Sequence, residues 1–449
     1  MIRAYSSSCH PQNSFILYNQ MHRNGRPSLD KYTFPFLLKA CSVLSDIRKG
    51  EETHCQAVKH GFGTNIFVQN SLIHLYGSNG RISSARSVFD EMLDRDVATW
   101  TTLVSCNANH GSVETAHKLF KEMPDKSVVS FSAMIMGYVR KGRFNEALEL
   151  FRELQMQGLE PNDSTIMGVI SASANLGSLD SGKWIHSYIR SKKGNQFDSR
   201  INTALIDMYF KCGSINDAIL VFEGVKEKLV GEWTAMIYGM AMHGFGERSV
   251  ELFENMVESG VKPNTITFVG LLSGCTHAGL VKQGLMYFDR MESEFGIEPT
   301  VEHFGCVVDL LSRAGLIAQA VKFMNNMPLK ANAAMWGALL NACRVHKNVE
   351  VGELAARWLL REEPRNAAIY MSLLSLYTEA KRWDDVVMVK REMKELGSRK
   401  SPGCSLIDVN GTSYEFVAGD KSFPPALQIS LQIDESIKEA KEDYIYRWD

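Results

Sequence analysis

The stretch Phe-Ser-Ala-Met-Ile at residues 131–135 recurs as Trp-Thr-Ala-Met-Ile at residues 233–237. Each run leads, further along the chain, to the pattern Gly-x-x-Pro-Asn, which occupies residues 158–162 and 260–264. Self-similarity at a fixed period of this kind is the sequence signature of repeat proteins. The sequence therefore predicts an array of repeated structural elements.

The same phase divides most of the chain into nine repeats of 31 to 36 residues. Their boundaries are 31–65, 66–96, 97–127, 128–162, 163–198, 199–229, 230–264, 265–300 and 301–332. Residues 1–30 are expected to be a partial repeat, and residues 333–400 continue the pattern more loosely. Because residues 1–5 align with residues deep in a first helix, we expect either a misassigned start or a missing upstream segment.

Each repeat has the pattern of two short helices. Position 15 is glycine in eight of the nine repeats, with Ser45 as the exception, and glycine suits the left-handed residue that ends a helix. The second helix carries apolar residues at positions 20, 23, 24 and 27, which form one buried stripe. Position 20, where two helices must approach closely, is alanine in five repeats and glycine in three, as Gly50, Gly182 and Gly284. One hairpin cannot bury its stripe alone, so the predicted fold is an all-α solenoid of helix-turn-helix hairpins, with any strand after residue 400.

Composition and charge exclude several classes of site. The chain of 449 residues has 49 basic and 51 acidic side chains, so any nucleic-acid site must be local. No stretch approaches the roughly 20 apolar residues of a membrane helix, and no membrane partner is predicted. The nine cysteines lack a Cys-x-x-Cys motif and are expected to be buried and reduced. His54 and His186 lie four repeats apart, so we expect packed histidines, with no metal or other cofactor.

Three features narrow the class of helical repeat: Pro-Asn endings, alternating repeat lengths, and Gly-x-x-x-His in two long repeats. With the run Thr-Ala-Leu-Ile-Asp-Met-Tyr-Phe-Lys-Cys-Gly at residues 203–213, the chain resembles plant pentatricopeptide-repeat proteins of the P-L-S subclass. Residues 401–405 and 414–420 resemble that family's C-terminal extension motifs. The resemblance implies a right-handed superhelix, degenerate E-type repeats over 333–400 and an E+-like segment over 401–449. The tail after about residue 425 is expected to be an amphipathic helix, either as a cap or as a partner-binding element.

The resemblance also implies that each repeat reads one RNA base through position 5 and the last position. An aspartate at the last position only accepts hydrogen bonds and favours G or U, which offer an imino N–H, whereas asparagine also donates and suits A or C. The candidate RNA-binding residues are Asn70, Asp96, Thr101, Ser127, Ser132, Asn162, Thr203, Thr234, Asn264 and Asn332.

For repeats 66–96 through 301–332 these residues predict the base order U, purine, A, any, purine, A, any, any. The long repeats carry apolar residues at position 5 and are expected to act as spacers; these residues are Pro35, Met167 and Val269. An alternative applies to any single residue, because Ser, Thr and Asn at helix starts commonly serve only as N-caps. Their regular phase favours recognition.

The function implied is that of a sequence-specific single-stranded RNA-binding factor for C-to-U editing of mitochondrial or chloroplast transcripts. The zinc-deaminase signature, His-x-Glu with Pro-Cys-x-x-Cys, does not occur in the sequence. We therefore expect no enzyme activity in this chain, no terminal deaminase domain, and a deaminase-bearing partner recruited through the C-terminal extension. The alternative is a protein-binding helical scaffold that does not contact RNA.

Overall fold

The computed structural model describes residues 1–24, 29–193 and 197–398, and the backbone of strands at 404–409 and 412–417. Over these residues the chain forms 24 helices and one two-stranded sheet. It divides into two compact units, Met1–Pro299 (the N-terminal unit) and Thr300–Asp449 (the C-terminal unit). The predicted helical-hairpin repeat fold is confirmed, and the strands among the described residues lie after residue 400.

The helices of the N-terminal unit alternate between first and second helices of successive repeats. They are α1 (Ile2–Tyr5), α2 (Asn13–Asn24), α3 (Thr33–Leu44), α4 (Ile47–Lys59), α5 (Ile66–Ser78), α6 (Ile82–Glu91), α7 (Val97–His110), α8 (Val113–Glu122), α9 (Val128–Arg140), α10 (Phe144–Met156), α11 (Asp163–Leu176), α12 (Leu179–Lys193), α13 (Ser199–Lys211), α14 (Ile215–Gly224), α15 (Val230–Met242), α16 (Gly246–Glu258), α17 (Thr265–Ala278) and α18 (Val281–Ser293).

The C-terminal unit continues the alternation and ends in a hairpin. Its helices are α19 (Val301–Arg313), α20 (Ile317–Asn326), α21 (Ala333–Val345), α22 (Val349–Glu362), α23 (Ala367–Glu379) and α24 (Trp383–Glu395). Strands β1 (Cys404–Val409) and β2 (Thr412–Val417) pair antiparallel, with Cys404 opposite Val417. Most of the E+-like segment, including the expected helix after about residue 425, lies outside the described residues.

Packing in the N-terminal unit is between neighbours. From α3 to α17, each first helix packs against the first helix of the next repeat. Each second helix packs against its own first helix and against the next repeat's first helix. The apolar stripe of each hairpin is thus buried by its neighbour, as the stacking argument predicts.

An aromatic pair marks many of the junctions between repeats. The phenylalanine at position 24 of a second helix meets the aromatic residue at position 4 of the next first helix, edge to face. Ring centroids lie 4.9 Å apart in Phe89–Trp100, Phe120–Phe131 and Phe222–Trp233, and 5.3 Å apart in Phe253–Phe268. Such pairs contribute about 0.5–1.5 kcal/mol each beyond the burial of their area.

The turn between the two helices needs a left-handed residue at position 15. Seven of the eight predicted glycines have φ between 66° and 84°, and Ser45 adopts φ 54° without being glycine. Gly111 is the exception, with φ −109°; it follows α7 directly and precedes Ser112, which caps α8. Lys347 and Lys381 fill the equivalent position of the two loose repeats, both at φ 56°.

The glycines at position 20 of the long repeats allow close helix contact, as predicted. A Cβ on Gly182 would lie 2.8 Å from the Met208 side chain. One turn further on, His54 Nδ1 and His186 Nδ1 form hydrogen bonds to the hydroxyls of Tyr76 and Tyr209, at 3.0 and 2.8 Å. Burial lowers the pKa of both imidazoles. Both histidines are therefore packed side chains in the junction with the next repeat.

The expectation of buried thiols is only partly correct. Cys41, Cys106, Cys275 and Cys343 are buried and free, and Cys212 and Cys306 are partly buried. Cys9 and Cys55 are exposed, so the prediction is wrong for them. The reason for Cys55 is that it occupies position 25 of its repeat, beside the buried stripe. Cys404 lies outside the described side chains.

None of the helices among the described residues combines the length and the apolar character that a membrane crossing requires. Within the same part of the chain, no three His, Cys, Asp or Glu side chains are grouped so as to hold a metal ion.

Candidate RNA-binding face

The last residue of each repeat forms the N-cap of the next repeat's first helix. The side-chain oxygens of five candidate residues accept the backbone N–H three residues ahead, at 2.7 to 3.2 Å. These residues are Asp96, Ser127, Asn162, Asn264 and Asn332. The capping alternative is therefore correct as a description of local structure. A cap uses only one side of an amide or carboxylate, however, and most of these side chains are exposed.

The position 5 hydroxyls lie behind these exposed caps. Ser132 is 6% exposed and Thr234 is 9% exposed. Each is on the first helix of its own repeat, in the second turn, where the next repeat's first helix packs against it. Two consecutive first helices are thus needed to bring a position 5 side chain and a last-position side chain together.

Asn264 and Thr234 are joined through Thr267, the third residue of α17. Thr267 donates both its N–H and its hydroxyl proton to Asn264 Oδ1, at 2.9 and 3.0 Å. Thr267 Oγ1 accepts the backbone N–H of Asn264 at 3.1 Å and lies 2.7 Å from Thr234 Oγ1. A hydroxyl has one proton, and that of Thr267 is used by Asn264, so Thr234 must be the donor to Thr267.

This network fixes which groups face outward in repeat 230–264. Because Asn264 Oδ1 accepts two hydrogen bonds inside the protein, the exposed part of the amide is the Nδ2 donor. Because Thr234 donates inward, its oxygen offers lone pairs outward. The outward surface of this repeat therefore presents one donor, Asn264 Nδ2, beside one acceptor, the Thr234 oxygen.

Repeat 128–162 has the same arrangement with a direct contact. Ser132 Oγ lies 2.9 Å from Asn162 Oδ1 and 2.7 Å from Thr165 Oγ1. Thr165 donates its N–H and its hydroxyl to Asn162 Oδ1, at 2.9 and 3.0 Å. The Ser132 hydroxyl can also donate to the carbonyl oxygen of Val128, at 2.7 Å. The Asn162 Nδ2 group again faces outward.

Repeat 66–96 offers the opposite polarity. Asp96 Oδ1 accepts the N–H and the hydroxyl of Thr99, at 2.7 and 2.8 Å, and the nearby Asn70 side chain also stabilises the charged form of the carboxylate. Burial acts to raise the pKa of the Asp96 carboxyl, but these hydrogen bonds outweigh it, so that pKa lies below its usual value. The carboxylate is ionised at neutral pH and can only accept. Asn70 Oδ1 is buried without a partner among the described residues.

Two predicted pairs are not brought together by hydrogen bonds, and the candidate Asn332 has no side chain to pair with at position 5. Thr101 donates to the carbonyl oxygen of Val97, while Ser127 bonds within its own capping box. Thr203 has no polar partner at Leu229, whose apolar side chain is 56% exposed. Asn332 is a cap, but Gly305 at position 5 has no side chain to join it.

The sequence analysis missed a set of exposed apolar residues beside the caps. Position 2 of the first helix carries Phe67, Val129 and Ile266, which are 47, 59 and 61% exposed. Each is two residues from a cap and three from a position 5 side chain. An exposed aromatic or branched side chain there gives a surface against which a base can stack. The recurrence of large apolar residues at position 2 is the sequence signal that could have identified this set.

Protein-family models match much of the chain. The PPR repeat model matches residues 70–97, 98–128, 203–228 and 266–294, and the PPR repeat family model matches residues 126–175 and 228–277. An E motif model matches residues 346–408.

Three Arabidopsis thaliana relatives are similar over almost the whole chain. Pentatricopeptide repeat-containing protein At5g66520 is 48% identical over 94% of this chain and 68% of its own length. The relatives At1g59720, named chloroplastic/mitochondrial, and At2g22410, named mitochondrial, are each 41% identical. They match 94% and 96% of this chain, which spans 63% of the length of each.

The crystal structure of the pentatricopeptide repeat protein PPR10 in complex with an 18-nt psaJ RNA element has the same fold. Its TM-score is 0.73, with 17% identity, over 88% of this chain and 60% of that one.

Proposed function

The chain belongs to the pentatricopeptide-repeat family, and we propose that it is a sequence-specific factor that binds single-stranded organellar RNA. The observation that carries this proposal is the polarity of the caps. Asn162 and Asn264 direct amide donors outward beside recessed hydroxyl acceptors, whereas Asp96 directs a carboxylate outward. Helix capping alone does not require a partner hydroxyl on the preceding first helix.

The outward groups match particular base edges. An amide donor facing the ring nitrogen suits adenine N1 or cytosine N3, which carry no hydrogen, and Thr234 or Ser132 accepts from the neighbouring amino group. A carboxylate suits the imino N–H of uracil or guanine. By the family's two-position code, repeats 66–96, 128–162 and 230–264 then select U, A and A. The full order proposed for repeats 66–96 through 301–332 is U, purine, A, any, purine, A, any, any, 5′ to 3′.

We propose that the bound transcript is edited from C to U a few nucleotides further 3′, by a deaminase supplied in trans. Support comes from the E motif match at residues 346–408. The C-terminal extension is the proposed recruiting element for that partner. The names of two relatives support a mitochondrial or chloroplast location.

Selection from a random single-stranded RNA pool tests RNA recognition. The purified chain should enrich RNAs that carry the proposed order, and affinity should fall as salt rises, because phosphate contacts release counterions. Failure to enrich any sequence, or binding without salt dependence, would favour the alternative of a protein-binding scaffold. For the editing step, C-to-U conversion should need both this chain and a deaminase-bearing partner, and conversion by the chain alone would contradict the proposal.

A further inference from the structure

In repeats 66–96, 128–162 and 230–264, the last residue is bonded to a threonine hydroxyl at the third residue of the following repeat's first helix. Thr267 joins Thr234 to Asn264, Thr165 bonds to both Ser132 and Asn162, and Thr99 bonds to Asp96. Thr165 and Thr267 are fully buried, so neither can touch a base. Their position behind both readers suggests that they set the direction of the readers' hydrogen bonds.

We propose that Thr267 is a positioning residue for base recognition, the third member of a reader that spans two repeats. Through its single proton it makes Asn264 Oδ1 an internal acceptor and Thr234 an internal donor. This directs the Nδ2 donor and the Thr234 lone pairs toward the base. The inference rests on the proposed function, because it concerns how the same face discriminates bases.

Repeat 199–229 shows what happens when this hydroxyl is missing. Glu232 occupies the third position of α15 and is 1% exposed. Its Oε2 accepts the backbone N–H of Leu229 at 3.1 Å, and its Oε1 is buried without a partner among the described residues. Among the described residues none forms a hydrogen bond with the Thr203 hydroxyl, and this hydroxyl lies against Gly231. This repeat therefore lacks the relay, and it is expected to discriminate bases weakly.

The first test is Thr267→Val, which removes the hydroxyl and keeps the side-chain volume. The backbone N–H of residue 267 still reaches Asn264 Oδ1, so the cap remains, but Thr234 is free to donate outward. The preference for A over G at that base should fall roughly 2- to 12-fold, the value of one oriented hydrogen bond. Thr267→Ser should retain the preference. Affinity ratios for changes at the other bases should not move in either variant.

Thr165→Val is the matched control. Ser132 has the Val128 carbonyl and Asn162 Oδ1 as further acceptors for its proton, whereas within the described part of the chain the Thr234 hydroxyl pairs with Thr267 alone. The loss of discrimination should therefore be smaller at Ser132 than at Thr234. Equal losses at both bases, or none at Thr234, would overturn the relay.

A gain-of-function test decides the question independently of the folding of Thr267→Val. Leu229→Asn supplies the missing cap amide, and Leu229→Asn with Glu232→Thr supplies amide and relay. The double variant should prefer A over G at the base facing Thr203 more strongly than the single variant, again roughly 2- to 12-fold. Equal preference in both would refute the role of the third residue. Asn264→Asp separates the two levels: if it shifts base preference while the relay variants do not, only the relay fails, and if it does not, the proposed base reading fails.

Discussion

Replacing Asn264 by aspartate should change the preferred base of repeat 230–264 from A to G. The carboxylate keeps one oxygen on the N–H and the hydroxyl of Thr267, as the amide does now. Asparagine and aspartate are nearly equal N-caps, and a negative charge is favourable at a helix N-terminus. The stability of the chain should therefore be unchanged or slightly higher, and the outward group alone changes from donor to acceptor.

The size of the effect follows from that single reversal. In the wild type, Nδ2 donates toward the ring nitrogen of adenine, which has no hydrogen. In the variant, a carboxylate oxygen faces that lone pair, whereas guanine offers an imino N–H and an amino group. A wrong base costs about 1–3 kcal/mol in edge recognition of this kind, so the A-to-G ratio should change roughly 5- to 150-fold.

The assay is equilibrium binding of two RNAs that differ only at this base, for wild type and variant, at one salt concentration. Asn65→Asp is the matched control, because Asn65 also caps a first helix, α5, with its Oδ1, which accepts the N–H of Phe67 two residues ahead, but it belongs to a repeat with Pro35 at position 5. It should leave every base ratio unchanged. If wild type and Asn264→Asp treat A and G alike, or if Asn65→Asp has the same effect, these side chains are caps and not readers.

Other predictions follow from the turns, the thiols and the carboxylates. Lys381→Gly should raise the free energy of unfolding by about 1 kcal/mol, because glycine adopts the left-handed conformation without strain. Gly213→Ala should lower it by a similar amount; a Cβ there meets nothing within 4 Å, so the left-handed backbone alone is the cause. Urea titration measures both. The Cys106 and Cys275 thiols, whose pKa burial raises to about 12, should resist a thiol reagent at mildly alkaline pH until the chain unfolds. The preference of Asp96 for U should persist as pH falls below the usual range for an aspartate and be lost only near its lowered pKa, which an NMR titration compared with RNA binding would reveal.

The two-helix pattern and the buried helix faces could be predicted because they depend on short-range rules. Glycine at position 15 and the apolar stripe act within one hairpin, so the sequence alone indicates them. The conformation of single turn residues is less predictable. Gly111 is not left-handed although glycine favours that conformation, whereas Lys381 is left-handed although lysine disfavours it, because the turn of its hairpin requires it.

Less of the candidate site than of the fold could be predicted from the sequence. Position 5 and the last position could be identified by resemblance, but not which pairs touch. Ser132 reaches Asn162 directly, whereas Thr101 bonds to its own helix and leaves Ser127 apart. That difference depends on the rotamer of one hydroxyl and on the packing of two helices. In the sequence, Glu232 has the pattern of an ordinary capping residue. Only the structure shows that it is buried beside the apolar cap Leu229, in the place where other repeats have a threonine hydroxyl.

The cap that closes one repeat belongs physically to the next one, and this affects how such proteins can be recombined. A segment cut at residues 230–264 carries Thr234 and Asn264 but leaves Thr267 in the recipient, whose own third residue then decides the outcome. Cutting after the fourth residue of each repeat moves residues 234–268 as one segment, which carries Thr234, Asn264 and the Thr267 hydroxyl that joins them. A chimera designed with the second cut should keep its base preference in a foreign array, because the seam between donor and host then falls outside the hydrogen-bonded cluster.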